Sequence, residues 1–178
     1  MGIYIETERL ILRSWEEDDN KPFAELNGNS NIMKYFPAPL SVEESNAFVD
    51  RINAELEETG FGLYAVEIKG TGEFIGDVGF HRFTFNAYFS PGWEIGWRIS
   101  DKFWHKGYAT EAAKACLNYA REKHLCNRLF SFTTTPNTAS ENVMKRIGMT
   151  FEGTFMHPAL ADGHWLKEHK LYSIDLAI

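Results

Sequence analysis

The chain has 178 residues, a formal net charge of −7 at pH 7 and 44% hydrophobic residues. This length can enclose a core of its own, so we expect one domain over residues 1–178. An acidic chain does not offer the basic surface that nucleic acids require. No apolar stretch reaches the roughly 18 residues of a membrane span. We therefore expect neither nucleic acid nor a membrane as a partner.

The two cysteines, Cys116 and Cys126, show neither metal-binding nor redox spacing. The six histidines show no zinc motif, so no metal is expected. The first residues lack the basic and apolar regions of a secretory signal. These features predict a reduced, cytoplasmic protein.

The predicted elements mix strands and helices without a strict alternation. Apolar residues separated by polar ones predict a first strand over 4–15, and acidic residues favour a helix over 16–27. Ser41 and Glu44 have the spacing of a capping box and open a helix that ends at Gly60. The remaining predicted strands lie at 61–69, 73–84, 93–99, 128–134, 151–155 and 166–175.

Two more helices complete the predicted mixed α/β fold, which has helices on both faces of a sheet. Ala109, Ala113, Cys116 and Ala120 recur on one face of a helix that follows the strand over 93–99. The last helix opens near Asn137 and ends at Gly148, and its Thr138 and Glu141 fit a capping box.

The connection from the strand over 93–99 to the next helix has the character of an anion site. Lys106 and Gly107 stand directly before the helix, whose first N–H groups and positive dipole end suit a phosphate. Taken alone, Gly107 could equally be a loop hinge.

The order strand, loop, helix, strand, helix resembles the GNAT superfamily of N-acetyltransferases. The residues that carry this resemblance are Gly-Tyr-Ala-Thr-Glu-Ala at 107–112 and Thr-Glu-Arg-Leu-Ile-Leu-Arg at 7–13. With Trp104 in place of the usual Gln or Arg, they are similar to the RimJ/RimL branch, which acetylates the N-termini of ribosomal proteins. The resemblance implies a GNAT fold: a mostly antiparallel sheet of six to seven strands, about four helices and a splayed parallel pair at the coenzyme site.

The resemblance also implies acetyl-coenzyme A as co-substrate. Its pantetheine arm would lie along the backbone of Trp97, Arg98 and Ile99, and Asn137 would bind its amides. Gly96 is consistent with a bulge or a close approach there, and a plain strand glycine is the alternative. The loop that would hold the pyrophosphate comprises Trp104, His105, Lys106, Gly107, Tyr108, Ala109 and Thr110.

Glu94 is the first candidate for the base that deprotonates the acceptor amine. Strand alternation places it opposite Trp93 and Trp97, and desolvation there would raise its pKa. The alternative is a solvent-facing Glu94 paired with Arg98. His81 and His157 are further candidates for the base, since histidine titrates near neutral pH.

The leaving thiolate also needs a partner. Many GNAT proteins place a Tyr seven residues after the Asn that Asn137 matches, but this chain has Met144 there. In the ribosomal-protein branch a Ser three residues after that Asn is proposed instead, and Ser140 matches it. The base glutamate proposed for that branch has no counterpart in the sequence Met-His-Pro at 156–158.

The acceptor pocket of the resembling family has a wall formed by the segment that holds Tyr35 and Phe36, and we place His81 beside it. The two aromatic residues could equally be core residues. The acceptor is expected to be a peptide N-terminus, and a small amine such as a polyamine, an amino acid or an antibiotic is the alternative. A non-catalytic acyl-coenzyme A sensor is a further alternative, and the protein is expected to be a monomer or a homodimer.

The fraction of the acceptor amine that is neutral at pH 7 favours an α-amine over lysine. With pKa values of about 7.7–8.0 and 10.4, roughly a tenth of α-amines but only a few lysines in ten thousand are neutral at pH 7. The difference is worth about 3.5 kcal/mol, so one modest carboxylate suits an α-amine better.

Overall fold

A single sheet of eight strands dominates the structure, a computed structural model that describes residues 2–176. Its strand order is β1-β2-β3-β4-β5-β6-β8-β7, and all neighbours are antiparallel except β5 and β6. The strands are β1 (Ile3–Glu6), β2 (Leu10–Arg13), β3 (Leu63–Ile68), β4 (Phe74–Phe83), β5 (Gly92–Ile99), β6 (Arg128–Thr134), β7 (Thr150–Met156) and β8 (Glu168–Asp175).

Four α-helices cover the two faces of this sheet, as the sequence predicts. They are α1 (Asn20–Gly28), α2 (Val42–Thr59), α3 (Tyr108–Glu122) and α4 (Thr138–Arg146). Alternate residues of β5 identify the faces: Arg98 reaches Asn27 of α1, whereas Trp93 packs on Phe61, which contacts Tyr119 of α3. The predicted mixed α/β GNAT fold is thereby confirmed. None of the helices in residues 2–176 is long and apolar enough to cross a membrane.

The sheet has one strand more than the six to seven expected, because the stretch predicted as one strand over 4–15 forms two. Thr7 closes a tight turn, since its hydroxyl accepts from the Leu10 amide at 2.9 Å and its amide donates to the Leu10 carbonyl at 2.9 Å. The helix predicted over 16–27 likewise begins later, after a 3₁₀ turn at Glu17–Asp19.

Helix capping confirms one sequence prediction and corrects another. Ser41 and Glu44 form the predicted capping box at the start of α2. At α4 the capping residue is Asn137, whose side chain accepts from the Ser140 amide at 3.2 Å. The predicted box of Thr138 and Glu141 is wrong, because Glu141 points inward and accepts hydrogen bonds from Lys170 and Tyr172.

A buried ion cluster joins β2 to the 3₁₀ turn and to β3. The Arg13 guanidinium donates to both carboxylate oxygens of Asp19, at 2.7 and 3.0 Å, and to Glu67 at 2.6 Å. Arg13 and Asp19 are each 3% exposed. A charge buried to this degree is stable only with its partners in place.

Replacing Asp19 with Ala should therefore lower the free energy of unfolding by about 3 kcal/mol, because a buried guanidinium loses its main partner. Urea denaturation measures the change. Asp18→Ala is the matched control, since Asp18 is exposed in the same turn and should change stability by less than about 0.5 kcal/mol. Equal losses in the two variants would contradict a special role for the buried pair.

Candidate active site

The site begins where the two parallel strands part. Glu94 of β5 lies opposite Phe130 of β6, and the Ser131 hydroxyl donates to the Ile95 carbonyl at 2.9 Å. Beyond that point β5 stays paired with β4 as far as Ile99, while β6 stays paired with β8. The predicted splayed pair is thereby confirmed, and the edge of β5 from Gly96 onward is left for a ligand.

The bulge expected at Gly96 is not present. The pairing of β4 with β5 runs in continuous register past this residue, from Phe83 opposite Gly92 to Gly76 opposite Ile99. A Cβ atom on Gly96 would meet no atom within 4 Å. The opening therefore comes from the divergence of β6 and not from a distortion of β5.

A cavity of about 910 Å³ occupies this opening. It extends from the start of α3, along the free edge of β5, to the segment over 31–37 and to the loop after β7. At one end lies a helix N-terminus and at the other lie aromatic and titratable side chains. The two ends have the chemistry of an anion site and of an acceptor pocket.

The anion end is formed by the loop before α3. Gly107 caps the helix with a φ of 81° and His105 has a φ of 60°, so the chain turns sharply and no side chain caps the helix. The first amides of α3 are thus left to an outside acceptor. Six of the seven predicted loop residues line the cavity: Trp104, His105, Gly107, Tyr108, Ala109 and Thr110.

Lys106 is the predicted loop residue that does not line the cavity. Its ammonium lies over the ring of Phe103, 5.4 Å from the centroid. Its carbonyl accepts a hydrogen bond from Arg9 at 3.0 Å. Lys106 therefore anchors the loop through its backbone carbonyl, while its ammonium packs on Phe103.

The turn between β1 and β2 holds this loop in place. The Arg9 guanidinium donates to Glu111 of α3 at 2.6 Å, and it lies 4.5 Å from the centre of the Tyr108 ring. The Thr7 hydroxyl donates to the other carboxylate oxygen of Glu111 at 2.7 Å. The Thr-Glu-Arg sequence at 7–9 thus acts as a brace for the start of α3.

The predicted residues of β5 and of the loop are also tied together. The Trp104 indole N–H donates to the Ile99 carbonyl at 2.8 Å, which fixes the loop to the end of the strand. The Arg98 guanidinium donates to Asn27 at 2.6 Å and lies over Phe36, 4.4 Å from the ring centroid. Trp97, Arg98 and Ile99 all line the cavity.

Asn137 and Ser140 line the cavity at the start of α4. The Asn137 side chain accepts from the Ser140 amide at 3.2 Å and donates to the Thr133 hydroxyl at 3.0 Å. Asn137 therefore acts as a helix cap here, and one amide hydrogen remains for a ligand. Met144, which replaces the usual Tyr, is 1% exposed and belongs to the core.

Glu94 lies where the cavity passes from the strand edge to the acceptor end. Burial raises its pKa to about 7, an effect that the nearby charge of His81 opposes. Among the described residues its carboxylate accepts no hydrogen bond, and Arg98 pairs with Asn27 instead. The structure thus gives Glu94 the desolvated surroundings that a base near neutral pH needs.

His81 is the register partner of Glu94 and lines the same cavity. Its Nδ1 lies 2.8 Å from a carboxylate oxygen of Glu55 on α2. This hydrogen bond raises the pKa of His81, although burial opposes the shift. His81 is therefore held beside Glu94 by its hydrogen bond to Glu55.

Aromatic residues enclose the acceptor end. Tyr35 and Phe36 line the cavity, and the Tyr35 ring lies 6.4 Å from that of Trp165, in the segment before β8. His157 lies on the other side, 5.0 Å from His169 between ring centroids. Burial lowers the pKa of both imidazoles, and the neighbouring His169 lowers that of His157 further.

Several residues that line the cavity were not predicted from the sequence. They include Asp77 of β4, Phe132 of β6, Arg146 of α4 and His169 of β8. His169 comes opposite Thr134 across the β6–β8 pair, and no local motif marks that position. Only the sheet order brings it to the site. In the part of the chain that the structure describes, no cluster of three or more His, Cys, Asp or Glu side chains could hold a metal ion.

Comparisons with known proteins agree with this geometry. The acetyltransferase (GNAT) domain family model matches residues 9–150. The chain is 31% identical over 168 residues to the uncharacterized N-acetyltransferase YnaD of Bacillus subtilis, with 94% of each chain covered. A GNAT-family acetyltransferase from Bacillus anthracis superposes with a TM-score of 0.80 at 31% identity, over 98% of this chain and 99% of that one.

A more distant structure shares the fold and contains the coenzyme. RimL, a ribosomal L7/L12 α-N-protein acetyltransferase solved with coenzyme A, superposes with a TM-score of 0.79 at 18% identity, and 98% of both chains is covered. The free edge of β5 and the uncapped start of α3 fit a thioester arm that ends in phosphates.

A splayed strand pair that leads to an anion-binding helix start defines this protein as an acyl-coenzyme A enzyme. The chain belongs to the GNAT family of acetyltransferases. It is an acetyl-coenzyme A-dependent N-acetyltransferase.

Replacing Arg9 with Ala should raise the KM for acetyl-coenzyme A about tenfold and change kcat less, because the brace on the 104–110 loop is lost. Steady-state kinetics with the acceptor at saturation measures both constants. Arg121→Ala, at the far end of the same helix, is the control and should leave KM unchanged. A normal KM in Arg9→Ala would show that the loop keeps its conformation without the brace.

Proposed function

We propose that the protein transfers the acetyl group of acetyl-coenzyme A to the α-amine of a protein N-terminus, as ribosomal-protein acetyltransferases of the RimJ/RimL type do. The observation that carries the proposal is Glu94, a carboxylate in the cavity whose pKa is raised to about 7. It lies between the strand edge and the aromatic acceptor end.

The proton balance favours an α-amine over a lysine side chain. An α-ammonium has a pKa of about 7.7–8.0, so transfer of its proton to Glu94 is uphill by roughly one pKa unit, or about 1 kcal/mol. For lysine, with a pKa of about 10.4, the same transfer costs about 4.6 kcal/mol. Glu94 is therefore matched to an α-amine.

Glu94, the backbone of β5 and Ser140 each have a role in the acyl transfer. Glu94 first takes a proton from the ammonium, the neutral amine then attacks the thioester carbonyl, and the second proton from the nitrogen passes to the departing sulfur as the amide forms. The free N–H groups on the edge of β5 beyond Gly96 stabilise the negative charge on the carbonyl oxygen. The carbon–sulfur bond then breaks, and Ser140 donates a hydrogen bond to the departing thiolate from the start of α4.

The reaction is a direct attack in a ternary complex. Neither cysteine lines the cavity: Cys116 is fully buried on α3 and Cys126 follows that helix. Burial raises the pKa of Cys126 to about 11 and that of Cys116 still further, so both are thiols at neutral pH. These thiols cannot serve as acetyl carriers in the site.

A small amine is the second candidate acceptor. The contact between Tyr35 and Trp165 joins the segment over 31–37 to the segment before β8 at the acceptor end, which favours a compact substrate.

A peptide panel tests the proposal. Peptides that contain one internal lysine are supplied with either a free or a formylated N-terminus, and a set of small amines is assayed beside them. Mass spectrometry should place the acetyl group on the free α-amine, and the formylated peptides should remain unmodified. Acetylation of lysine, or of small amines alone, would contradict the proposal.

The variant Glu94→Gln should lower kcat/KM by about 10²- to 10³-fold, because the amine loses its proton acceptor. The wild-type rate should rise with pH through about 7, since Glu94 accepts a proton only when it is ionised. That acid limb should be absent in the variant. Glu58→Gln, on the exposed face of α2, is the control and should keep both the rate and the limb.

The same variant should be more stable than the wild type at pH 8. Because the pKa of Glu94 rises from 4.5 unfolded to about 7 folded, the folded protein binds the extra proton between those values. Stability is lost as pH rises through this window, and the charged form is the costly one. Scanning calorimetry should show a Tm gain for Glu94→Gln at pH 8 that disappears near pH 4.5, and no gain at pH 8 would contradict the desolvated carboxylate.

A further inference from the structure

Six phenylalanines form one continuous cluster next to the acceptor end of the cavity. They come from the end of β4, the connection to β5, and strands β6 and β7, and neighbouring ring centroids lie 4.9–6.2 Å apart. The six are Phe83, Phe85, Phe89, Phe130, Phe132 and Phe155. Such mutual contact holds each ring in a fixed orientation.

The cluster lies on the same face of the sheet as Glu94. Phe83 follows His81 by two residues on β4, so the two side chains share a face. His81 is the register partner of Glu94, and the Phe132 ring lies 5.6 Å from that of Phe83. The cluster is therefore next to the position that the acceptor amine must occupy.

Phe132 is the member of the cluster that lines the cavity. The rings of His157 and His169 line the cavity beside it. The His157 ring lies 6.1 Å from Phe132 and 5.0 Å from His169. Burial lowers the pKa of both histidines, so the wall formed by these three rings is uncharged at neutral pH. We call it the Phe132 wall.

The charges of the cavity do not match a polycation. Among the described residues that line it, the carboxylates are Asp77 and Glu94, and the charge of Arg98 acts on Asp77. A polyamine that has given up one proton still carries at least one ammonium, and with Glu94 protonated and Asp77 buried beside Arg98 no carboxylate of the lining is left to pair with it. An acceptor with a single amine and an apolar neighbour fits these surroundings.

From this we infer that the acceptor carries an aromatic side chain next to its reactive amine, and that the Phe132 wall binds this side chain. The inference rests on the proposed function for the form of the substrate, a peptide whose first residue is Phe, Tyr or Trp. Ring-to-ring contact and the burial of one large apolar group supply the selectivity.

The test uses matched acceptors. Two tetrapeptides that differ only in a first residue of Phe or Ser are compared, together with 2-phenylethylamine, ethanolamine and spermidine. The Phe peptide should exceed the Ser peptide in kcat/KM by about 10- to 100-fold. Spermidine should be the poorest acceptor. Equal kcat/KM values for the two peptides would overturn the inference. A preference for the Ser peptide or for spermidine would overturn it as well.

The panel also separates this inference from the proposed function. If neither peptide is acetylated but 2-phenylethylamine is preferred over ethanolamine, the peptide acceptor falls and the aromatic selectivity stands. If both peptides react equally well, the proposed function stands and the aromatic selectivity falls.

A variant locates the selectivity. Phe132→Leu keeps an apolar side chain and removes the ring, so the preference for the Phe peptide over the Ser peptide should drop towards one. Phe130→Leu is the matched control on the same strand, since Phe130 belongs to the cluster but does not line the cavity. This variant should retain the preference for the Phe peptide.

Circular dichroism checks that both variants fold. Should Phe132→Leu fail to fold, the wild-type panel still decides the question. An unchanged preference in a folded Phe132→Leu would overturn the assignment to this wall.

Discussion

The divergence of β5 and β6 is the constraint on which the site depends. A parallel pair that continued would satisfy the backbone of β5 and leave no room between the strands. Here the pair ends near Glu94 and Phe130, where the Ser131 hydroxyl binds the Ile95 carbonyl. Each strand keeps its outer neighbour, so the sheet remains intact while one edge opens inside it. The unpaired backbone groups on that edge are free to hydrogen-bond with a ligand, so a cleft can lie in the middle of a stable sheet.

Glu94 shows how a residue of this opening affects the free energy of folding. The half-buried carboxylate accepts no hydrogen bond from the described residues, which costs folding free energy once it is ionised. Other charges near the sheet are handled differently: Arg13 is fully paired with Asp19 and Glu67, and Glu111 with Thr7 and Arg9. Glu94, which lacks a hydrogen-bond partner, thus lies in the cavity, whereas the paired charges of Arg13 and Glu111 stabilise the fold around it.

The sequence was sufficient for the fold and for most of the coenzyme end, because those features are local. Alternation and the order of elements predicted the strands and helices, and the resemblance to the GNAT superfamily implied the splayed pair and a loop of which six of seven residues line the cavity. The split of the first strand at Thr7 was missed, since a turn closed by a hydroxyl does not interrupt the alternation. His169 and Phe132 were missed as site residues for another reason. His169 reaches the cavity through the position of β8 between β6 and β7, and Phe132 reaches it through the position of β6 beside β5; no local pattern encodes either placement.

The brace from Thr7 and Arg9 to Glu111 joins parts of the chain that are 102 and 104 residues apart. Closing so long a segment has a large entropic cost, so this contact is stable only when the sheet that brings its two ends together is formed. The linkage also acts in reverse. A ligand that prefers the braced loop must stabilise the first hairpin by the same free energy, and slower amide exchange at the edge strand β1 would report events at the distant start of α3.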